Sequence, residues 1–355
     1  MKILFIIGTL NAGGAEKVMT MLSNYMSQKE HTVSILTFSD KKPFFELDNS
    51  IRRYVAKEYP SNSLRKRLYN IKEHVKDIKK TINSVNPDIV ISFMTELNVL
   101  AIIASKLARK PIIVSEHTSF LKVKKRFWKY LRQMVYPFSN GLVLLTKEDQ
   151  PYYSFVKEKY VIPNPLLLTH SYKEIEREKI ILGVGRLRHV KGFDRLINAF
   201  SMLQNAKDWK LVLVGEGSER IKLEEQIAEL NLAENILLVG QQKDMELFYK
   251  KASIFVLSSR EEGFPGVLCE AMGYGCAVVS FDCKTGPKEI INNDYDGKLV
   301  EADNVKELSK NIDYFINNPN QRDFFGLNAQ KIETKLNLET IYQQWMDVIH
   351  TIKVK

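Results

Sequence analysis

The sequence is poor in the residues that mark several common protein classes. Its three cysteines, Cys269, Cys276 and Cys283, fit neither a disulfide framework nor a metal-ligand spacing. Its 17 glycines and 11 prolines among 355 residues are too few for a collagen-like or low-complexity chain. No run reaches the ~18 uninterrupted apolar residues of a membrane span, and the start, MKILFIIGTLNAGG, lacks the features of a signal peptide. These absences favour a globular protein in a reducing cytoplasm.

Acidic residues are scarce in the first half of the chain only. Residues 1–175 contain 28 Lys and Arg against 15 Asp and Glu, a net charge of +13. Residues 176–355 contain 24 against 27, a net charge of −3. A basic half predicts an anionic partner there, and charge alone leaves nucleic acid, a membrane and phosphorylated substrates open.

Short apolar runs alternate with helical patterns along the whole sequence. Such continuous runs are typical of strands buried on both faces of a parallel sheet, and their alternation with helices predicts doubly wound α/β sheets. The runs are KILFII (2–7), TVSILTF (32–38), DIVISF (88–93), PIIVS (111–115), GLVLLT (141–146), KIILGVG (179–185), KLVLVG (210–215), NILLVG (235–240), SIFVLSS (253–259) and CAVVSF (276–281). The helical patterns include 14–28, 98–108, 191–204, 218–230, 304–317 and 338–352.

The alternation breaks once, near residues 160–178, where VIPNP precedes a polar run. Two prolines so close together continue neither a strand nor a helix, so we expect a domain boundary there. The sequence predicts one Rossmann-like domain over 1–167 and a second over 168–337. Ligands of such sheets lie beyond the carboxyl ends of the strands, so two facing sheets would hold substrates in a cleft.

Two segments that follow strands have the residues of anion sites. Gly13 and Gly14 open a helix after the first strand, where backbone amides favour a phosphate, and a tight strand-to-helix turn explains them equally well. Arg186 follows the strand 179–185, and Lys191 stands where the next helix begins. This pair suits a diphosphate, although most Arg and Lys side chains are simply solvated.

The most specific feature is the pair of glutamates in EGFPGVLCE, Glu262 and Glu270, which follows the strand SIFVLSS. A helix that begins near Gly266 would direct the amides of Gly266, Val267 and Leu268 at an anion. Glu270, one turn later, could accept hydrogen bonds from ribose hydroxyls. The alternative is that both carboxylates only complement the helix dipole, which suits Glu270 less because its neighbours are apolar.

A histidine and two basic segments complete the candidates. His117 follows the strand 111–115; a lone histidine is more often structural than catalytic, and its place at the end of a strand narrows that difference. Residues 52–80 and 122–132 carry ten and six Lys and Arg, and the second segment is interleaved with aromatic residues. Such segments suit an anionic membrane interface or are solvated helix faces. The residues we expect to act there are Arg65, Lys72, Lys76 and Lys79 on one helix face, with Lys125 and Trp128 in the second segment.

Together these motifs resemble the retaining GT-B glycosyltransferases of family 4, over nearly the whole chain. Glu262 and Glu270 resemble the E-x7-E signature of that family, and Arg186 with Lys191 resembles its diphosphate pair. Gly13-Gly14, IPNP (162–165) and LVGEG (213–217) also match. The resemblance implies a GT-B fold, two Rossmann-like domains facing across a cleft, with helix 338–352 packed back onto the first domain.

The resemblance also implies roles for individual residues. Arg186 and Lys191 would bind the diphosphate of a nucleotide sugar, Glu270 its ribose and Glu262 its sugar. Gly14 and the amides of residues 266–268 would approach phosphate or sugar, and His117 would contact the transferred sugar. One departure is TGPKE (285–289), where the family often has Gly-Gly before the Glu; Pro287 removes a backbone N–H there.

The implied reaction is a metal-independent, retaining transfer from a nucleotide sugar, with UDP the expected nucleotide. The nearest likeness is to bacterial enzymes that extend lipid-linked oligosaccharides, including those that add N-acetylgalactosamine. In those enzymes a basic helix of the first domain engages the lipid pyrophosphate, and the predicted Arg65–Lys79 face resembles it. We therefore expect a polyprenyl-diphosphate-linked glycan acceptor and a cytoplasmic protein peripheral to the inner face of the membrane.

Three other functions fit parts of the sequence. A nucleotide-sugar epimerase or hydrolase on the same fold is the most serious alternative, and detection of sugar transfer discriminates against it. An NAD-dependent oxidoreductase fits poorly, because Gly8, Gly13 and Gly14 lack the dinucleotide spacing. A nucleic-acid-binding protein is suggested by the pI of about 9.2, but no nucleic-acid motif accompanies it.

Overall fold

The chain folds into two compact units, each built on one parallel sheet. The computed structural model describes residues 1–57, 64–120, 126–169 and 175–354. Unit 1 comprises Met1–Pro165 with Asn337–Lys355, and unit 2 comprises Leu166–Leu336. The division thus lies two residues before the boundary expected from the sequence.

Unit 1 is a seven-stranded sheet whose strands are all parallel, in the order β3-β2-β1-β4-β5-β6-β7. Five central strands are apolar runs that the sequence predicted, and they are buried on both faces because helices cover both. The strands are β1 Lys2–Ile6, β2 Thr32–Thr37, β3 Arg52–Val55, β4 Ile89–Phe93, β5 Ile112–Ser115, β6 Gly141–Leu144 and β7 Lys159–Val161.

Five helices of unit 1 are described. They are α1 Gly14–Gln28, α2 Leu64–Val85, α3 Thr95–Leu107, α4 Arg126–Val135 and, at the end of the chain, α13 Leu338–Val354. Helices α2, α3 and α4 share one apolar core on one face of the sheet; its members include Val75, Ile78, Val99 and Trp128. This shared core places the solvent sides of α2 and α4 on the same side of unit 1.

Helix α13 returns the chain to unit 1 and packs against α1. The rings of Tyr25 and Tyr342 are 5.4 Å apart in an edge-on contact, and Lys29 pairs with Glu339 at 2.8 Å. Trp345 is buried and lies 6.5 Å from Phe93, measured between ring centroids. The apolar face of this last helix therefore belongs to the core of unit 1.

Unit 2 is a six-stranded parallel sheet in the order β10-β9-β8-β11-β12-β13. The strands are β8 Glu178–Val184, β9 Lys210–Val214, β10 Ile236–Leu238, β11 Ala252–Leu257, β12 Ala277–Asp282 and β13 Lys298–Glu301. The helices are α5 Phe193–Ser201, α6 Arg220–Glu229, α7 Glu246–Lys251, α8 Gly266–Gly273, α9 Pro287–Ile290, α10 Val305–Asn317, α11 Pro319–Ala329 and α12 Ile332–Leu336. One core, which includes Leu196, Ile254, Val279 and Phe315, joins helices to this sheet.

Three short strands were absent from the sequence prediction: β3, β7 and β13. Each lies at an edge of its sheet and is only partly buried. An edge strand has one neighbour and tolerates polar residues, and these three lack the continuous apolar run that identifies a central strand. The fourth edge strand, β10, has such a run and was predicted.

No helix among the described residues is long and apolar enough to cross a membrane.

Candidate functional site

The loops at the carboxyl edge of the unit 2 sheet bring most of the predicted donor residues together. The loop after β8 lies directly on the loop after β9: a Cβ on Gly215 would stand 1.9 Å from the carbonyl oxygen of Gly185. Leu187 is buried and donates its N–H to Glu216 O at 2.9 Å, which anchors this loop. Arg186, one residue earlier, is exposed, and no described carboxylate pairs with its guanidinium. The fold thus presents Arg186 as a cation available to an anion.

Lys191 and Glu262 form an ion pair at the same edge. Lys191 Nζ lies 2.6 Å from Glu262 Oε1, and the two side chains are 20% and 8% exposed. Ser259 Oγ donates to the same oxygen at 2.6 Å. Among the described residues the second oxygen, Oε2, accepts no hydrogen bond. Glu262 therefore holds the lysine with one oxygen and has acceptor capacity on the other.

The backbone around this ion pair is fixed from several sides. Gly192, directly after Lys191, has φ +66°, and a Cβ there would stand 2.0 Å from the carbonyl oxygen of Ser258. Ser258 Oγ donates to the carbonyl of Lys191 at 3.1 Å, and the Thr285 hydroxyl donates to the carbonyl of Glu262. These contacts tie the loop after β8 to the loops after β11 and β12, which sets the separation of the two charges.

A second ion pair, between Arg260 and Asp194, stabilises the loop that carries Glu262. Arg260, two residues before Glu262, donates through both terminal nitrogens to the carboxylate of Asp194 near the start of α5. Burial opposes ionisation of Asp194, but the hydrogen bonds and positive charge of Arg260, together with a backbone N–H and the nearby Arg195, lower the pKa of the carboxyl. A bidentate Arg–carboxylate contact restricts orientation as well as distance, so it limits movement of the loop after β11 relative to α5.

The amino end of α8 differs in detail from the prediction. The Gly266 N–H donates to Phe264 O and the Leu268 N–H to Pro265 O, both at 3.0 Å. Only the Val267 N–H, of the three amides, has no acceptor among the described residues. A Cβ on Gly266 would meet nothing within 4 Å, so space is open beside this turn. Val267 is thus the amide best able to bind an added anion.

Glu270 lies one turn into α8 and is held by a buried tyrosine. Tyr249 Oη donates to Glu270 Oε2 at 2.8 Å. Burial, together with the adjacent Glu270 carboxylate, raises the pKa of Tyr249 well above its ordinary value, so the phenol stays protonated. The carboxylate keeps acceptor positions beyond the one that Tyr249 fills, since a carboxylate has about four.

In unit 1, His117 follows β5 as expected and is a neutral base. Its ring stacks on Phe93 at 4.8 Å between centroids, and its Nε2 lies 3.0 Å from Ser115 Oγ. Burial lowers the pKa of His117 to about 3. Nδ1 is buried and has no hydrogen-bond partner among the described residues. The imidazole can therefore exchange hydrogen bonds with a polar ligand but carries no charge near neutral pH.

The residue before it, Glu116, anchors this loop. Its carboxylate is buried and accepts hydrogen bonds from the hydroxyls of Thr95, at 2.9 and 3.0 Å, and of Tyr136. Burial raises the pKa of Glu116 despite these bonds. A buried carboxylate with several donors fixes the backbone that carries His117.

Gly14 is the first residue of α1. A Cβ at Gly14 would meet nothing within 4 Å, whereas one at Gly13 would collide with the side chain of Glu16. Thr9 donates to Glu16 at 3.2 Å across the loop after β1. The helix start is thus braced by Glu16 and open at Gly14.

The predicted basic ladder lies on α2. Lys72 and Lys76 are exposed and Lys79 is half-buried, while Val75, Ile78 and Ile82 of the adjoining stripe are buried. Lys76 approaches Glu73 at 3.8 Å, but its side chain is 74% exposed. The side chain of Arg65 lies outside the described residues.

The prediction for Trp128 is wrong. Trp128 is 6% exposed and packs in the core of unit 1, so it cannot reach a membrane. Lys125 lies outside the described residues. The exposed apolar side chains are instead Tyr130, Met134 and Phe138, at 63%, 52% and 61%. Their spacing of four places them along one side of α4 and its continuation; with the exposed Arg126 and Lys129 we call them the α4 surface.

Sequence reasoning missed several residues of these sites. Ser259 ends the run SIFVLSS and could have been noticed as a hydroxyl at a strand end. Glu116 precedes a histidine that was singled out. Tyr249 gave no signal, because a tyrosine in a helical pattern is usually core, and its contact with Glu270 arises only from the fold.

Comparison with known proteins agrees with this arrangement. The model of "Glycosyl transferases group 1" matches residues 169–332, and the model of "Glycosyltransferase Family 4" matches residues 12–164. The chain is 30% identical, over 99% of both sequences, to the GalNAc-α-(1→4)-GalNAc-α-(1→3)-diNAcBac-PP-undecaprenol α-1,4-N-acetyl-D-galactosaminyltransferase of Campylobacter jejuni. The chain belongs to the family 4 glycosyltransferases.

One further relative and two solved structures are also similar to this glycosyltransferase. It is 29% identical to the amylovoran biosynthesis glycosyltransferase of Erwinia amylovora, over 98% of this chain and 99% of that one. The structure of HepE from Anabaena in complex with UDP superposes with a TM-score of 0.82 at 19% identity, over 99% and 100% of the two chains. TarM superposes with a TM-score of 0.83 at 17% identity, over 98% of each chain. The predicted GT-B fold is confirmed, and these relatives do not favour the epimerase or hydrolase alternative.

The bracing of Lys191 predicts a stability contrast between two glycines of this glycosyltransferase. Gly192→Ala should lower the free energy of unfolding by about 2 kcal/mol, because it combines a positive φ with a collision at Ser258 O. Gly266→Ala, where the new methyl meets nothing, should change it by less than about 0.5 kcal/mol. Denaturant unfolding of the ligand-free proteins measures both. Equal effects would show that the contact at Gly192 does not constrain the loop.

Proposed function

We propose that this glycosyltransferase moves a hexose or N-acetylhexosamine from a UDP-sugar to a polyprenyl-diphosphate-linked glycan, with retention of anomeric configuration and without a metal. The observation that carries the proposal is the set of charged side chains at the carboxyl edge of the unit 2 sheet. There Arg186, which has no carboxylate partner among the described residues, and the Lys191–Glu262 pair lie on loops that follow strands of the unit 2 sheet. Glu270, bound by Tyr249, lies one turn into the helix that follows the Glu262 loop. Cations for a diphosphate and carboxylates for sugar hydroxyls are the two recognition elements that a nucleotide sugar needs.

The chemistry assigns different work to the two cations. When the anomeric C–O bond breaks, its electron pair passes to the departing phosphate oxygen and the sugar becomes oxocarbenium-like. Arg186 would bind the diphosphate through its planar guanidinium. Lys191 would donate its remaining N–H groups to the phosphate oxygen on which negative charge develops. Fixed positive groups at that position stabilise the transition state more than the ground state, which is what raises the rate.

Retention follows from attack on the face that the diphosphate leaves. The acceptor hydroxyl forms the new bond to the anomeric carbon and gives its proton to the departing phosphate oxygen. Glu262 is a poor candidate for a covalent nucleophile, because its Oε1 is already neutralised by Lys191 and bonded to Ser259. We assign its Oε2 instead to a hydroxyl of the donor sugar.

We propose that no metal is needed because two side-chain cations can take its place. Arg186 and Lys191 supply positive charge at the place where a divalent ion would otherwise neutralise the diphosphate. The nucleotide is proposed as UDP because HepE, a structural relative, is described in complex with UDP and with UDP-glucose. Glu270 would accept hydrogen bonds from the ribose, and the Val267 amide would contact phosphate or sugar.

The acceptor is proposed from the relatives and from α2. Two Campylobacter jejuni relatives are named for undecaprenol-diphosphate-linked acceptors, at 30% and 29% identity. Lys72 and Lys76 project from a helix whose apolar side is buried, so their charge faces solvent. A row of exposed lysines can bind the negative charge of a pyrophosphate. Contacts of Gly14 and His117 with the substrate stay predictions.

The α4 surface supports attachment to an anionic membrane. It combines exposed apolar side chains with Arg126 and Lys129, the composition of helices that lie in a membrane interface. Since α2 and α4 share one core on the same face of the sheet, membrane contact through α4 would keep the α2 lysines on the membrane side. We therefore propose a peripheral protein at the inner face of the cell membrane, with no nucleic-acid partner.

The donor proposal predicts ligand-dependent stabilisation. In a panel of UDP-, GDP- and ADP-sugars, a UDP-sugar should raise the unfolding temperature, with about 2.7 kcal/mol of stabilisation at 100 times its Kd. Arg186→Ala should abolish the shift because the diphosphate loses its bidentate partner. Arg188→Ala, an exposed arginine of the same loop, is the matched control and should keep it. A full shift in Arg186→Ala would refute the assignment.

The acceptor proposal predicts a selective loss of turnover. Lys72→Glu with Lys76→Glu should lower transfer to a polyprenyl-diphosphate-linked acceptor by at least about 30-fold, since each lysine near an anionic surface contributes about 1 kcal/mol and each glutamate adds repulsion. UDP-sugar binding should not change. Lys207→Glu with Lys306→Glu reverses two exposed lysines of unit 2 and controls for net charge. Unchanged turnover in the α2 variant would exclude the ladder as an acceptor site.

A further inference from the structure

Tyr249 occupies a position that the proposed chemistry does not use. It is 1% exposed and lies on α7, outside the loops that carry Arg186, Lys191 and Glu262. Its hydroxyl donates to Glu270 Oε2 at 2.8 Å. We propose that Tyr249 is a positioning residue that orients Glu270 toward the ribose hydroxyls of the donor nucleotide. The inference rests on the ribose-binding role proposed above for Glu270.

The ring of Tyr249 stacks on a neighbour that is itself tied to α7, which restricts movement of the hydroxyl away from Glu270. Tyr274 stacks against it at 5.6 Å between centroids and 14° between planes. The Tyr274 hydroxyl donates to Thr169 O at 2.9 Å and accepts from Thr169 N at 3.1 Å. The Thr169 hydroxyl in turn donates to Glu246 Oε2, on the same helix as Tyr249, at 2.7 Å.

The backbone of Tyr249 is held as firmly as its ring. Its carbonyl accepts from Arg177 at 3.2 Å and from the thiol of Cys276 at 3.2 Å. Its N–H donates to Met245 O at 3.1 Å. Arg177 also donates to the carbonyl of Tyr274. One arginine thereby joins the ends of α7 and α8, so the donor and the acceptor of the Tyr249–Glu270 bond belong to a single braced assembly.

The direction of the hydrogen bond is fixed by chemistry. Burial keeps the phenol protonated, so Tyr249 can only donate to the carboxylate. A glutamate side chain has three torsions that must be fixed before its carboxylate holds one orientation. Binding one of its oxygens fixes the orientation of the other lone pairs, and orientation is what a vicinal diol selects for.

The test compares UDP with an analogue that lacks the ribose hydroxyls. If Tyr249 orients Glu270, its loss should weaken only the binding of UDP; if Tyr249 only packs the site, both ligands should be affected. Tyr249→Phe should weaken UDP binding about tenfold, the usual effect of a lost hydrogen bond to a charged group, and should change binding of 2′,3′-dideoxy-UDP by less than about twofold. With a UDP-sugar, KM should rise while kcat stays within about twofold, because the diphosphate contacts are intact. Tyr314→Phe removes a tyrosine hydroxyl from α10, outside the contacts of Tyr249, Tyr274 and Thr169, and is the matched control; it should bind UDP like the unaltered protein.

Calorimetry on the full chain, with thermal unfolding as a check on folding, gives each outcome a meaning. An equal loss for UDP and the dideoxy compound would show that Tyr249 only packs the site, and no loss for either would show that Glu270 needs no positioning; both overturn the inference. Glu270→Gln distinguishes a failure of the ribose role of Glu270 from a failure of the positioning role of Tyr249. If Glu270→Gln leaves UDP binding unchanged, the ribose assignment itself fails; if it weakens binding while Tyr249→Phe does not, only the role of Tyr249 fails.

Discussion

The ion pair between Lys191 and Glu262, with Ser259 on the same carboxylate oxygen, is the interaction on which the donor site depends. It joins a loop that follows β8 to one that follows β11, at the edge where parallel sheets bind ligands. Without its partner, the largely buried Lys191 or the buried Glu262 would be left with an uncompensated charge, which is costly. With it, a cation stands beside a carboxylate, the two charges that a sugar diphosphate requires.

The surrounding structure serves to keep that pair in place. Gly192 permits the close approach to Ser258, Thr285 holds the carbonyl of Glu262, and Arg260 locks the neighbouring loop onto α5. Glu270 is secured independently by Tyr249, through helices rather than loops. A site for phosphate and sugar is thus braced through one set of contacts and a site for ribose through another. Precise placement of both matters, because electrostatic stabilisation of a leaving diphosphate falls off with small displacements.

Much of this arrangement could be predicted from the sequence, and the failures have physical causes. The central strands, the two units and the order of the motifs follow from continuous apolar runs and from residues at strand ends. The edge strands β3, β7 and β13 were not predicted because they are partly exposed and lack that run. Trp128 was misassigned because its basic neighbours suggested a surface, whereas helical phase turns it inward beside the exposed Tyr130. The roles of Tyr249 and Glu116 depend on tertiary contacts between distant segments, which no local pattern encodes. The Gly266 and Leu268 amides bond within their own turn, to Phe264 O and Pro265 O, and the glycine and proline pattern did not specify which amides that turn would use.

A double-mutant cycle on Lys191 and Glu262 tests the central claim most directly. The quantity is kcat/KM for transfer from a UDP-sugar to a polyprenyl-diphosphate-linked acceptor in Lys191→Met, Glu262→Gln and the double variant. If the two side chains act as one unit, the double variant should be about as impaired as the worse single one, a coupling of at least about 1.4 kcal/mol, or tenfold. Losses that simply multiply would contradict the account, because they would mean that the lysine and the glutamate work independently.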